Sequence, residues 1–377
     1  MRAVSQEPLL RPDPPPFKTE FLPVSGGHHL WVTQHGNPQG LPALLLHGGP
    51  GSGCSPLLRR FFDPAAYHLI CVDQRGAGAS QPAGGTRHNT TNDLLADLRQ
   101  LRGHLALAKW LVVGGSWGAT LALAHAADQP EAVAGLLLRA VFLARDQDIS
   151  AFFLPGTART SAAQAAWQTL AAAVLPNAEL PNAEGEADAQ AQAPAPAPVQ
   201  APAHGLLPAI ASAFANTAHQ PNPSPAQHRV AAAWWAWEQA LAHGAEHGAP
   251  FGPAPDGEAL HALVRRYAVQ AHYLAHGCWL QSPSLLARAA QLPAVPTLLL
   301  HGTADAICPP AGAQAVLDVM PHSRLQWVAG AGHDPTHPGM TAAMVSALAR
   351  FAEVGHFGLA VPKAPTLNPD PAPCPCA

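Results

Sequence analysis

Charge is scarce in this 377-residue chain: Asp, Glu, Lys and Arg together make up 12% of it, and the formal net charge is −4. Cations gather only in short pairs such as Arg59-Arg60 and Arg265-Arg266. No basic stripe is available to neutralise a row of phosphates, so nucleic acid is not expected as a partner. No stretch of about 18 consecutive apolar residues occurs, which excludes a membrane-spanning helix from the expected architecture. The opening residues MRAVSQEPLLRPDPPPF lack an uninterrupted apolar core and a small-residue cleavage site, so export is not expected either. The six cysteines (Cys54, Cys71, Cys278, Cys308, Cys374, Cys376) show no paired metal spacing, and no His-Glu-x-x-His pattern is found. A reduced, cytoplasmic setting without a metal is the expectation. Cys374 and Cys376 form the one close pair and are read as thiols in a disordered tail.

Apolar residues, at 48%, and 41 prolines fill much of the remainder. The length exceeds what one core of about 250 to 300 residues accommodates, so roughly two structural units are expected. Short apolar runs read as strands at 29–36, 42–49, 67–76, 109–116 and 134–142, and most of them run into glycine. Between them, 89–107 carries leucines at helical spacing behind Asn and Thr caps, and 117–133 reads as a helix ended by proline. Strands resume at 295–305 and 324–334, followed by a helix at 340–354. Continuous apolar strands alternating with helices predict a mostly parallel sheet covered on both faces.

The strand signal is lost over 143–288, which becomes helical and Ala-rich, with aromatic clusters in AAWWAWEQAL (232–241) and LVRRYAVQAHYLAHG (263–277). We expect a core over 17–142 and 289–356, a helical cap over 143–288 above the sheet, and a disordered tail over 357–377. Within the cap, about 176–205 contains almost no large apolar residue, cannot offset its ordering entropy by burial, and is expected to be a disordered loop.

Gly114-Gly115-Ser116-Trp117-Gly118 ends an apolar strand and opens a helix. A Gly-x-Ser-x-Gly turn of this kind exposes a serine hydroxyl, its glycines avoiding clashes that a Cβ would cause. Alone it is a weak signal. Asp305 follows the apolar run LLLHGTAD and His333 follows QWVAGAGHD, giving the chain order Ser, acid, His, with each residue at the carboxyl end of a strand. Ser116, Asp305 and His333 are therefore the candidate nucleophile, orienting acid and general base. Asp334, next to His333, is the poorer acid because it directly follows the imidazole it would have to hold. The backbone N–H groups of Trp117, at the helix start, and of Gly49, in HGGPGSG (47–53), are the candidate oxyanion donors. Asp73 and Arg75 in DQRGAGAS (73–80) are read as loop supports.

HGGPGSG, DQRGAGAS, NTTNDLLADLRQLRGHL, KWLVVGGSWGATLALAHA, LLLRAVFL, WWAWE and GHD together resemble the proline iminopeptidase family of α/β hydrolases, over roughly 17–356 apart from the low-complexity insert. The resemblance implies an α/β-hydrolase fold with an inserted cap and a cofactor-free serine aminopeptidase that removes an amino-terminal proline from small peptides. It implies Ser116, Asp305 and His333 as triad, and Gly49 and Trp117 as oxyanion donors. It also implies that acidic cap residues hold the substrate amine. Glu238, in WWAWE, matches the first of these, and Phe142 is a candidate wall of the proline pocket. The second acidic position departs from the pattern: where the family resembles Ile-Glu-x-His-Tyr-Phe, this chain has Val269-Gln270-Ala271-His272-Tyr273-Leu274. Gln270 keeps an acceptor and removes a charge. GTAD likewise stands where the family reads Gly-Arg-Tyr-Asp. These departures leave open an esterase or amidase on the same triad, and beyond it a non-catalytic binding or scaffold protein of the same fold. The oligomeric state is not legible.

Overall fold

A computed structural model describes residues 10–175, 205–215, 217, 222–242 and 254–358 of the chain. Among them, eight strands form one sheet: β1 (Pro16–Pro23), β2 (His29–Gly36), β3 (Leu41–Leu46), β4 (Tyr67–Val72), β5 (Trp110–Ser116), β6 (Val133–Val141), β7 (Thr297–Gly302) and β8 (Arg324–Val328). Their spatial order is β1-β2-β4-β3-β5-β6-β7-β8. β1 and β2 run antiparallel to their neighbours, and every pairing from β4 to β8 is parallel. This is the α/β-hydrolase architecture, with its mostly parallel sheet.

The continuous apolar runs are explained by burial on both faces. Every residue of β4 and β7 is buried. Alternate residues divide between two cores, as the period of two along a strand requires. Leu44, Leu46, Trp110 and Val112 pack with the helices α2 (Thr91–His104) and α3 (Trp117–Asp128). Ala43, Leu45, Leu111 and Val113 face the other way, toward Met340, Met344, Leu348 and Phe351 of the last helix. The expected cap of 89–107 resolves to Thr90. Its hydroxyl accepts from the Asp93 N–H while the Asp93 carboxylate accepts from the Thr90 N–H, closing both orphan donors.

Between β6 and β7 the described residues are helical: α4 (Asp146–Phe152), α5 (Ser161–Val174), α6 (Leu207–Phe214), α7 (Pro225–Ala242), α8 (Gly257–Ala275) and α9 (Leu285–Ala289). A short α1 (Pro56–Arg59) follows β3, α10 (Ala311–Val319) joins β7 to β8, and α11 (Pro338–Val354) closes the fold. Trp234 of α7 stacks on Tyr267 of α8, with ring centroids 4.4 Å apart. None of the described helices is long and apolar enough to cross a membrane. The expected disorder of 176–205 and of the tail with Cys374 and Cys376 falls almost wholly outside the described residues.

Two expectations need correction. β1 has no counterpart among the strands read from the sequence: it is an edge strand, mostly exposed, and so carries no burial pattern to read. Several strands also stop earlier than their apolar runs, with β3 ending at Leu46, β4 at Val72 and β8 at Val328. The chain turns there through left-handed glycines such as Gly49 (φ 112°) and Gly76 (φ 72°), which a strand cannot hold. The residues freed in this way form the rim of the site.

Candidate active site

Ser116 ends β5 and opens α3 with φ 57° and ψ −127°, a strained conformation for a side-chain-bearing residue. The turn exists because its flanking glycines let backbone approach backbone. A Cβ on Gly114 would lie 2.2 Å from the carbonyl oxygen of Gly118, and one on Gly118 would lie 2.2 Å from that of Leu46. A Cβ on Gly115 would instead meet the end of the Arg139 side chain, with Nη2 2.7 Å away.

Asp305 and His333 meet across the loops that follow β7 and β8. His333 Nδ1 lies 2.9 Å from Asp305 Oδ2 and 3.2 Å from Oδ1. With Nδ1–H donating to this carboxylate, Nε2 is left as the basic nitrogen. Asp305 also accepts from the N–H groups of Ile307 and Cys308, at 3.0 and 2.8 Å, so it caps its own turn as well as holding the imidazole. Burial alone would raise the pKa of Asp305; the charge and hydrogen bond of His333, with the Cys308 N–H, outweigh it and hold the carboxyl below its ordinary value. Asp334 is turned to Thr336, accepting from its N–H and hydroxyl, and takes no part in holding His333.

Ser116 is not hydrogen-bonded to His333. Its Oγ instead lies 3.9 Å from the Cys308 sulfur. Both Ser116 and His333 line one cavity of about 230 Å³, together with Gly49, Phe142, Glu238 and Gln270. Of the other sequence-derived residues, Asp305 lies buried behind His333, and Trp117 contributes its backbone at the start of α3 while its side chain is fully buried.

A network supports the loop at 47–53. The Trp117 indole donates to Gln74 Oε1 at 2.8 Å, and Gln74 Nε2 donates to the His47 carbonyl at 3.1 Å. His47 Nε2 accepts from the Gln74 N–H, and Nδ1 donates to the Gly48 carbonyl. This pattern needs the neutral imidazole, and burial pushes the His47 pKa down accordingly. Asp73 and Arg75 are loop supports: Asp73 accepts from the N–H groups of Cys54 and Ala79, and Arg75 is bidentate to Asp97.

α7 and α8 contribute the polar end of the cavity. Glu238 accepts three hydrogen bonds, all from α8: Arg266 Nη2 at 2.8 Å and Tyr267 Oη at 2.9 Å on Oε2, and Gln270 Nε2 at 2.9 Å on Oε1. Gln270 can face a carboxylate only with its NH₂, which leaves its Oε1 buried without a partner among the described residues. α8 itself sits directly on the loop after β3. A Cβ on Gly51 (φ 92°) would lie 2.6 Å from the Arg266 carbonyl oxygen and 3.0 Å from the Val269 Cβ.

Arg139, Arg266, Gln74 and Cys308 were not singled out from the sequence. Arg139 had a readable signal, as a lone cation inside the apolar run AGLLLRAVF. Its Nη1 donates to the His333 carbonyl oxygen at 2.7 Å, and burial without a carboxylate partner among the described residues lowers its pKa. Burial pushes the Cys308 thiol well up, so it stays protonated beside Ser116.

Comparison with known proteins gives a consistent result. A family described as the alpha/beta hydrolase fold matches residues 42–338. The chain is 33% identical over 350 residues to a proline iminopeptidase of Xylella fastidiosa, covering 91% of this chain and 99% of the relative. It is 34% identical over 335 residues to one of Neisseria meningitidis serogroup A, covering 88% and 96%. Among solved structures, proline iminopeptidase of Mycobacterium smegmatis superposes with a TM-score of 0.53 at 18% identity, covering 90% of this chain and 98% of that one. An esterase of Exiguobacterium antarcticum gives 0.53 at 16%, covering 89% and 100%. At such identities the two superpositions establish the fold and leave its chemistry open.

Proposed function

Because the chain belongs to the proline iminopeptidase family of α/β hydrolases, we propose that it is a serine aminopeptidase that releases an amino-terminal proline from small peptides. One observation carries the chemistry: His333 Nδ1 is committed to Asp305, which leaves Nε2 as a base in the cavity that Ser116 also lines. Ser116 Oγ attacks the prolyl carbonyl carbon as His333 Nε2 takes its proton. The oxyanion accepts from the N–H groups of Gly49 and Trp117. The scissile C–N bond breaks as His333 returns the proton to the leaving amine; water, deprotonated by the same nitrogen, then adds to the acyl carbon, and proline leaves as that proton passes to Ser116 Oγ. The gap between Ser116 and His333 closes when substrate fills the cavity, as catalytic contacts that are loose without substrate commonly do.

Glu238 is the proposed anchor for the substrate's amine, Gln270 Oε1 an uncharged acceptor beside it, and Phe142 a wall for the proline ring. Anchoring the amine at a fixed distance from Ser116 admits only the first residue of a peptide. A second reading keeps the same three residues and assigns esters or other amides; it is favoured by the Glu238 carboxylate already holding three donors.

Hydrolysis of a prolyl arylamide, its N-acylated form and an alanyl arylamide by wild type and Ser116→Ala separates the readings. Serine-dependent release from the free prolyl substrate in preference to the others supports the aminopeptidase. Equal cleavage of the acylated form, or of a simple ester, assigns the second.

A further inference from the structure

Glu238, the amine anchor in the reading above, already has a cationic partner. Arg266 Nη2 donates to it at 2.8 Å, and Tyr267 and Gln270 occupy its other accepting positions. The carboxylate is nearly enclosed, its side chain 10% exposed, whereas the Arg266 side chain is 28% exposed and lies over the Tyr267 ring, 5.1 Å from its centre. Burial alone would lower the Arg266 pKa, but the Glu238 charge outweighs it and holds the guanidinium above its ordinary value.

Three features make this pair exchangeable. The contact is single-pronged, because Gln270 holds the second carboxylate oxygen, and Arg266 Nε is left buried without a partner among the described residues. A bidentate fork, the strong form of an arginine-carboxylate pair, is therefore not made. Arg266 also borders two spaces: the cavity of Ser116, and a separate cleft of about 240 Å³ against Gly51, Gly76 and Gly78, which Arg265 lines as well. Finally, the second cap position holds the neutral Gln270, so Glu238 and Arg266 together bring no net negative charge to the amine.

We infer that Arg266 is a resident counter-ion of the amine subsite and sets its specificity: a substrate ammonium reaches Glu238 only by displacing the guanidinium into the neighbouring cleft. This inference rests on the aminopeptidase reading and adds to it a residue on which preference for a free amino terminus depends.

The test compares kcat and KM for prolyl 4-nitroanilide and its N-acetyl derivative in wild type, Arg266→Met, Arg266→Lys, Glu238→Gln and the Arg266→Met/Glu238→Gln double variant. Arg266→Met lowers KM for the free substrate by about tenfold, the scale of one charge-assisted hydrogen bond. Its kcat stays within about twofold, and the N-acetyl substrate is unaffected. Arg266→Lys, which keeps the positive charge, lowers KM less than Arg266→Met does. Glu238→Gln alone raises KM by about threefold or less, but by about tenfold or more once Arg266 is already Met. An unchanged or raised KM in Arg266→Met overturns the inference, because Arg266 then merely supports Glu238. If Arg266→Met does not unfold cooperatively, Glu238→Gln alone decides, and any rise beyond about threefold overturns it. Wild type that cleaves prolyl 4-nitroanilide through Ser116 with no response to Arg266 sinks this inference alone. Wild type that cleaves only acyl esters through Ser116 removes the aminopeptidase reading, and the inference falls with it.

Discussion

Arg139 Nη1 donates to the main-chain oxygen of His333 at 2.7 Å, tying β6 to the residue proposed to carry the proton. The bond fixes where the His333 backbone sits while Asp305 fixes how its ring is turned, so the imidazole is located by two residues on different strands or their loops. Arg139 is thus a positioning residue. Arg139→Met is expected to lower kcat by about 100-fold, the usual cost of misplacing a catalytic group by about 1 Å, with a smaller change in KM. Arg139→Lys, which keeps a donor, restores part of it. Equal kcat in wild type and Arg139→Met would refute the assignment.

The glycines of the nucleophile turn differ in what a methyl group would strike. On Gly118 it meets the Leu46 backbone, which cannot yield without breaking β3, so Gly118→Ala should cost about 3 kcal/mol or more in thermal or denaturant unfolding. On Gly115 it meets the end of Arg139, which can move. Gly115→Ala is expected to lose only about 1 kcal/mol of stability while losing kcat much as Arg139→Met does. Its combination with Arg139→Met should be no slower than either alone, since both remove the same bond.

Asp305 makes stability depend on pH in a defined direction. Its folded pKa lies below the ordinary 3.8, so its contribution is complete above that value and is lost as pH falls through the folded one. The difference in Tm between wild type and Asp305→Asn should therefore shrink in acid as pH falls below 3.8. Activity of Asp305→Asn at neutral pH should fall by about 10⁴-fold, as when an orienting aspartate can no longer hold the right tautomer. A Tm difference that grows toward acid contradicts the sign.

Gln270→Glu replaces a donor to Glu238 with a second carboxylate 2.9 Å away. Two such groups cannot both ionise easily, so the pair should hold a proton with a raised apparent pKa. KM for a free prolyl arylamide, taken as a ratio to wild type at each pH, is expected to fall as pH rises through that value, because the doubly ionised pair binds ammonium best. A ratio flat with pH counts against an amine subsite at 238 and 270.

Much of the sheet was legible because its strands are buried on both faces and write continuous apolar runs; β1, exposed at the edge, wrote none. The Gly-x-Ser-x-Gly turn, Asp305 and His333 could be read because each follows such a run. Their contacts could not, and the Ser116 hydroxyl beside Cys308 instead of His333 is a matter of rotamers that spacing does not determine. The pair Arg265-Arg266 shows the limit well. In sequence the two are alike, yet successive helical residues point about 100° apart. Arg265 therefore binds Glu258 on its own helix, and Arg266 crosses to Glu238 on α7. Gln270 was legible as a departure, but not as a donor to the carboxylate it accompanies.

Gly51 bears the backbone of α8 directly, with no side chain between the loop and the helix to act as a cushion. Any side chain at 51 would push α8 off the loop that carries Gly49, so the spacing between helix and loop is fixed by the approach of one main chain to the other. How closely α8 approaches the loop that lines the cavity is thus set by a single missing methyl group.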